Sequence, residues 1–193
     1  MQPYAERIGR LDVAVPAALH PDLVAPGVLA ALSGWSDAGS VGVAAIDPEL
    51  ADTAALVEAY GVPPQVCANC VVVGGRRGGE QRVAACLVLA TSRADVNGVV
   101  RRALDVRKAS FLSMEDAVQL TGMEYGGITP VGLPADWPVL VDAAVAATDE
   151  VVIGSGVRRS KLVLPGAALA RLPGARVVEG LGRAQSGWPS TRA

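Results

Sequence analysis

Residues 120–134 constrain the fold of this chain more than any other segment, because a helix ends there and no regular element can follow. The stretch holds four glycines and two prolines. Glycine permits positive φ and the close approach of a ligand to backbone N–H groups, while Pro130 and Pro134 fix φ on either side. The segment therefore predicts a loop of fixed path that presents backbone donors. The alternative is an ordinary rigid turn after a helix.

The rest of the sequence predicts interspersed strands and helices. Apolar runs rich in β-branched residues indicate strands, and runs that end at Gly61 or Gly122 indicate helices. The first two strands are predicted to form a hairpin with a glycine-rich basic tip at 74–79. Predicted strands cover residues 68–73, 83–90, 108–112, 139–141, 151–154, 161–164 and 175–178, and predicted helices cover 28–32, 54–60, 95–104, 113–122, 143–147 and 167–172. The fold class is α/β or α+β, with a mixed, mainly antiparallel sheet flanked by helices.

Three regions are predicted along the chain. Residues 1–42 contain Pro16, Pro21, Pro26 and a glycine- and serine-rich stretch, which favours a peripheral N-terminal extension. Residues 43–180 carry the regular pattern and form the predicted domain, and residues 181–193 form a predicted loose tail. A length of 193 residues, 51% of them hydrophobic, fits one domain with an aliphatic core.

The formal net charge of −2 argues against a protein that is basic overall, so contact with RNA must use local clusters. The candidate clusters are Arg76/Arg77, Arg101/Arg102, Arg107/Lys108 and Arg158/Arg159/Lys161. The alternative interpretation is that each cluster is an ordinary solvated surface. The sequence shows no membrane-spanning or secretory segment, and its three cysteines are an odd number. We therefore expect a cytoplasmic protein.

The chain contains four side chains of the types that bind zinc: Cys67, Cys70, Cys86 and His20. The second Cys-x-x-Cys pair of a zinc ribbon is missing, and the Cys67/Cys70 pair leads into a strand rather than a helix. Buried free thiols that pack as small hydrophobic side chains are the favoured interpretation. The sequence predicts neither a metal nor a cofactor.

The order of these motifs resembles the YbaK/ProX-like (YbaK/EbsC) family, which comprises trans-editing aminoacyl-tRNA deacylases and the related editing domains of prolyl-tRNA synthetases. The likeness covers residues 43–180, and it is most specific in the core 126–130 followed by the strand end 154–156. It implies a compact, barrel-like mixed sheet flanked by helices.

The resemblance also implies an activity, the hydrolysis in trans of the ester that joins a wrong amino acid to tRNA. The implied partners are the aminoacyl-tRNA 3′ end and an aminoacyl-tRNA synthetase. The implied catalytic residues are Asn69, Gly126, Gly127, Ile128, Thr129 and Pro130. The implied substrate-binding residues are Thr53, Lys108, Gly154, Ser155, Gly156 and Lys161.

Two positions depart from the family pattern. Asn69 stands where the family has a functional lysine, and Val157 stands where some members have a histidine. Asparagine donates and accepts hydrogen bonds but brings no positive charge. Asn69 therefore either orients the substrate in a divergent enzyme, marks a binding module without catalysis, or is a turn residue. Lys108 and Lys161 are the candidate replacement charges.

Overall fold

The computed structural model describes residues 7–185 of the chain. Its strands are β1 (Arg7–Ile8), β2 (Leu11–Asp12), β3 (Gly42–Ala45), β4 (Ala68–Arg77), β5 (Glu80–Leu89), β6 (Ser92–Ala94), β7 (Ala109–Phe111), β8 (Val139–Asp142), β9 (Val151–Gly154), β10 (Ser160–Leu164), β11 (Ala175–Val178) and β12 (Gly182–Ala184). Its helices are α1 (Pro26–Gly34), α2 (Thr53–Tyr60), α3 (Arg101–Ala103), α4 (Met114–Thr121), α5 (Ala143–Ala146) and α6 (Gly166–Leu169).

The strands confirm the predicted mixed, mainly antiparallel sheet flanked by helices. A five-stranded sheet has the order β11-β8-β5-β4-β7, in which the β11/β8 and β8/β5 pairs are parallel and the other pairs antiparallel. A second, antiparallel sheet has the order β3-β10-β9. Within residues 7–185 no closed barrel forms, because β11 and β7 end the larger sheet without pairing with each other. The barrel-like detail of the prediction is corrected accordingly.

The hairpin of β4 and β5 is confirmed, but its strands are longer than predicted. The register runs from Ala68↔Leu89 to Arg77↔Glu80, so that most of the predicted tip is strand. Gly74 and Gly75 belong to β4 because β7 packs closely against them: a Cβ added at Gly75 would lie 2.6 Å from the carbonyl oxygen of Lys108. The glycines therefore permit a close strand pair rather than a loose tip.

Helix ends follow the predicted caps. Gly61 ends α2, Gly122 ends α4, and the hydroxyl of Ser113 accepts a hydrogen bond of 3.0 Å from the backbone N–H of Asp116. The predicted helix 95–104 is instead a π-helical turn at Val96–Val100 that continues into α3. The Asp95 carboxylate caps this turn by accepting from the backbone N–H groups of Gly98 and Val99.

Segments from both ends of the described chain enter the core. Ile8 and Leu11 pack in the same buried cluster as Leu56, and Val28 of α1 packs in the central cluster. The predicted tail begins at residue 181, where Leu181 is fully buried and β12 pairs with β6, while residues 186–193 lie outside the described part. No helix within residues 7–185 is long and apolar enough to cross a membrane. The boundaries of the three predicted regions stay a prediction.

Candidate active site

A cavity of about 480 Å³ lies where the two larger sheets meet. Near its start β4 is bridged to β9 through Cys67 and Val152, and from Val73 onward β4 pairs with β7. Between these two contacts, residues 69–71 of β4 line the cavity. The N-terminus of α2, the loop 125–128 and the ends of β9 and β10 complete its wall. The cavity therefore occupies the gap that the two sheets leave along one edge of β4.

Asn69 and Thr53 form one wall of this cavity. The Thr53 hydroxyl, at the first residue of α2, donates to the side-chain oxygen of Asn69 over 2.7 Å. With its oxygen occupied, the Asn69 amide keeps its NH₂ group for another acceptor. No hydrogen bond from that NH₂ group to residues 7–185 is present.

Lys161 forms a second part of the wall, contributed by the β3-β10-β9 sheet. It lies in β10 between β3 and β9, and the residue is only 6% exposed. Its ammonium donates to the carbonyl oxygens of Ala51 over 2.7 Å and Gly126 over 3.1 Å. Burial lowers the pKa of Lys161 from 10.5 to about 8. A cation is thus held in the cavity wall, and it joins the loop to the segment before α2.

Gly126 and Ile128 line the cavity, and the structure shows no internal hydrogen bond from either backbone N–H to residues 7–185. Gly126 has φ of +86°, a conformation that side chains disfavour. Gly127 between them differs, because its N–H donates to the carbonyl of Glu124 over 2.9 Å. The N–H groups of Gly126 and Ile128 are therefore not used in internal bonds of the described chain, whereas the Gly127 donor is.

The other loop glycines serve close backbone packing. A Cβ at Gly127 would lie 2.5 Å from the Val157 carbonyl oxygen, and a Cβ at Gly154 would collide with the Gly127 and Ile128 carbonyls. The carbonyl of Gly127 also accepts from the N–H of Gly156 over 2.7 Å. The loop is thus pressed onto the end of β9, which fixes where its free donors lie.

The structure divides the predicted site residues into two sets. Those that line the cavity are Thr53, Asn69, Gly126, Ile128, Gly154 and Lys161. Those outside its lining are Gly127, Thr129, Pro130, Ser155, Gly156 and Lys108. Thr129 and Ser155 are fully buried, and Lys108 is exposed next to β7. Lys161 is therefore the one of the two predicted replacement charges that reaches the cavity.

Several residues that line the cavity or contact its loop were missed by the sequence predictions. Arg158 donates to the carbonyls of Pro48 and Tyr125, each over 3.1 Å, and so fastens the loop to the segment before α2. Asp52 lines the cavity as its one carboxylate among the described lining residues. Phe111 and Tyr125 lie at the rim and are 52% and 53% exposed. No pattern in the sequence singled out these two rings.

The remaining lining is mostly aliphatic, and it includes two free thiols. Leu56, Val152 and Ile153 contribute apolar surface. Burial raises the pKa of Cys67 to about 12, and it raises the pKa of Cys70 as well. Both thiols are therefore protonated at neutral pH and do not act as nucleophiles there. Residues 7–185 contain no group of three or more His, Cys, Asp or Glu side chains placed to hold a metal.

Comparisons with known proteins bear on this site. A family model described as an aminoacyl-tRNA editing domain matches residues 47–172. A structure of a candidate trans-editing enzyme for prolyl-tRNA synthetase has a TM-score of 0.67 and 22% identity, covering 81% of this chain and 97% of that one. A scaffold protein from computational epitope grafting has a TM-score of 0.68 and 23% identity, covering 82% and 96% of the two chains. These identities show a shared fold. A search of curated proteins found no significant match.

Proposed function

Because the chain belongs to the family of aminoacyl-tRNA editing domains, we propose that it is a trans-acting aminoacyl-tRNA deacylase. Its reaction is hydrolysis of the ester bond between a wrongly attached amino acid and the terminal ribose of tRNA. The observation that carries this proposal is a cavity lined by Gly126 and Ile128, whose N–H groups make no internal bond within residues 7–185, together with Lys161 and Asn69. An aminoacyl-tRNA synthetase is a proposed partner, and the cytoplasm the proposed location.

The two backbone donors supply the main stabilisation. When water attacks the ester carbonyl, negative charge develops on the carbonyl oxygen. Fixed N–H groups aimed at that oxygen stabilise it without reorganisation, and each donor contributes about 2.7–4 kcal/mol. The close packing of the loop on Gly154 keeps Gly126 and Ile128 in place before the substrate arrives.

Lys161 supplies the positive charge in our proposal. The resemblance places the family's functional lysine at position 69, where this chain has Asn69. Lys161 brings an ammonium to the same cavity from the neighbouring sheet, and Asn69 adds an amide donor held by Thr53. The charge favours the anionic transition state and helps to fix the Gly126 carbonyl, which aligns the loop.

The substrate's own ribose hydroxyl completes the mechanism, as the resemblance implies. No histidine is among the described lining residues, and the thiols there are protonated. A hydroxyl next to the ester can orient the attacking water and accept from it the hydrogen bond that a protein base would otherwise accept. The chain therefore needs no catalytic triad for this reaction.

The lining also limits which amino acid side chain the cavity can bind. Leu56, Val152 and Ile153 provide an aliphatic surface suited to a small apolar side chain. Asp52 offers a carboxylate at the N-terminus of α2 for the α-ammonium group of the aminoacyl ester. A second site of limited size is the physical remedy when a synthetase cannot separate side chains that differ by a methylene.

A panel of mischarged tRNAs tests the proposed activity. Tritium-labelled amino acid released by the protein is compared with release in buffer, for each small aliphatic amino acid in turn. We expect at least one member to be hydrolysed well above the buffer rate. Release at the buffer rate for every member would contradict the proposal.

Asn69 supports a second candidate function, a tRNA- or aminoacyl-nucleotide-binding module that has lost catalysis. The variants Asn69→Lys and Asn69→Ala separate the two. If the chain is an enzyme, Asn69→Ala lowers an activity that the wild type already shows. If it is a binding module, the wild type is inactive, binds tRNA, and gains activity only as Asn69→Lys.

A further inference from the structure

A second depression lies beside the cavity and shares one residue with it. Phe111, the last residue of β7, lines both. The depression is open, with a volume of about 630 Å³, and its lining includes Arg93, Asp95, Asn97 and Arg183. A ligand too long for the cavity therefore meets this surface when it leaves over Phe111.

Two arginines face each other across the depression. Arg93 of β6 and Arg183 of β12 are direct register partners in an antiparallel pair, so their side chains share one face. Like charges in directly opposite positions destabilise a strand pair. An anion bound between the two arginines would offset this repulsion.

Only one of the two arginine charges in the depression is neutralised by an ion pair. Arg183 forms an ion pair of 2.8 Å with Asp95, whose carboxylate also accepts from the backbone N–H groups of Gly98 and Val99. Arg93 is exposed and makes no ion pair or hydrogen bond with residues 7–185. The Asp95 carboxylate is therefore fully engaged, and the positive charge of Arg93 is left for a ligand.

Two exposed aromatic rings lie at the rim of the cavity, and one of them, Phe111, also lines the depression. Phe111 and Tyr125 are both about half exposed at the rim, in a chain with one phenylalanine and three tyrosines. Exposed rings are the platforms on which unpaired bases stack, and arginine pairs bind phosphate. Neither feature is needed to hold an amino acid.

We propose that the single-stranded 3′ end of tRNA runs from the cavity over Phe111 into this depression, with a phosphate bound between Arg93 and Arg183. The proposal rests on the deacylase function and adds the path of the nucleic acid. The rival path is the basic surface formed by the β4/β5 hairpin and α3, where Arg76 of β4 and Arg102 of α3 are also exposed. On that surface, however, Arg77 and Arg82 are both paired with Asp105.

The test measures binding and hydrolysis separately. Binding of a fluorescent RNA oligonucleotide that ends in the tRNA 3′ sequence is measured by anisotropy at several salt concentrations. Hydrolysis is measured with aminoacyl-tRNA and with an aminoacyl-adenosine that ends at the cavity. The variants are Arg93→Gln, the pair Arg93→Gln/Arg183→Gln, Phe111→Ala and Phe111→Tyr. The matched control, with the same charge change as the pair, is Arg76→Gln/Arg102→Gln.

We expect Phe111→Ala to weaken oligonucleotide binding roughly 5- to 100-fold and Phe111→Tyr to restore it. Arg93→Gln should make the slope of log affinity against log salt shallower by about 0.7, the value for one contact to single-stranded phosphate. The double variant Arg93→Gln/Arg183→Gln should lower kcat/KM for aminoacyl-tRNA. Hydrolysis of aminoacyl-adenosine by this double variant should stay at the wild-type rate. That second rate also shows that the variants fold.

The path is overturned if the control pair weakens RNA binding as much as the Arg93/Arg183 pair, or if the wild type does not bind the oligonucleotide. These results leave the proposed function standing when aminoacyl-adenosine is still hydrolysed. A wild type that binds the oligonucleotide but hydrolyses neither substrate contradicts the deacylase and keeps the path.

Discussion

The two walls of the cavity reach the same space from different sheets, and they differ in charge and in rigidity. On one side, Asn69 of β4 is neutral, half buried and held by a single hydroxyl from Thr53. On the other, Lys161 of β10 is charged, buried and bonded to two backbone carbonyls. If Lys161 is the catalytic cation that we propose, the site can take its charge from a different strand while the backbone donors of the loop stay where they are.

The largest expected effect is at the charged wall. Lys161→Met removes the ammonium and both of its carbonyl contacts, so we expect the deacylation rate to fall by about 100-fold or more. The measurement is single-turnover release of the amino acid from mischarged tRNA. Lys108→Met is the matched control because Lys108, the only other lysine of the chain, lies outside the cavity lining. An equal loss of deacylation rate in Lys108→Met would show that the effect is not specific to the lysine in the cavity.

The rigidity of the loop is tested next. Gly154→Ala places a methyl group against the carbonyls of Gly127 and Ile128, which must shift the backbone donors. We expect a destabilisation of about 1–3 kcal/mol and a rate loss of roughly tenfold or more. Thermal unfolding and single-turnover rates check the two effects. Gly39→Ala is the control, since no atom lies within 4 Å of an added Cβ there, and it should leave both quantities unchanged.

The pH dependence sharpens the same comparison. Lys161 has a pKa of about 8, so its charge is lost as pH rises through 8. The rate enhancement over buffer hydrolysis should therefore fall above pH 8 in the wild type. Lys161→Met should show no such inflection. A wild-type enhancement that stays flat to pH 9.5 would mean that the ammonium form is not required.

The free energy of unfolding should also depend on the protonation of Lys161, in a direction that its pKa shift defines. The pKa of Lys161 is about 8 in the folded chain and 10.5 when unperturbed, so between these values the unfolded chain binds more protons. The contribution of Lys161 to the free energy of unfolding therefore rises with pH across this window, by on the order of 1–3 kcal/mol. The ordinary pKa of a thiol, 9.0, also lies in this window, so thiols exposed by unfolding add a pH dependence of their own. The measured quantity is therefore the difference between wild type and Lys161→Met in denaturant unfolding.

A smaller effect is expected at Asp52. If its carboxylate binds the α-ammonium group, Asp52→Asn should raise KM roughly tenfold with little change in kcat. N-acetylated aminoacyl-tRNA provides the control because it lacks the ammonium group, and the variant should handle it as the wild type does. A drop confined to kcat would assign Asp52 a different role.

Much of the scaffold was predictable because its signals are local. The Ser113 cap, the helix end at Gly122 and the β4/β5 hairpin depend on residues close in sequence, and the structure confirms them. Short strands such as β3 and β6 were missed, since each is defined by a partner far along the chain. Regular periodicity cannot report such pairings.

The site was predictable only in part, for the same physical reason. The glycine loop identified Gly126 and Ile128, but it could not show that the Gly127 N–H is used internally by Glu124. Arg158 and Lys161 belong to a basic run that reads as a solvated face. The burial of Lys161 depends on the placement of β10 between β3 and β9, and the loop carbonyls that accept from Lys161 and Arg158 belong to residues more than 30 positions away.

The measurement that tests the central claim most directly is an exchange of the charge between the two walls. Deacylation of one mischarged tRNA is followed at pH 7 for the wild type, for Lys161→Met and for Asn69→Lys/Lys161→Met. If Lys161 supplies the charge that the family places at position 69, Lys161→Met is slow and the double variant regains about tenfold or more. Equal rates in all three proteins would contradict the account.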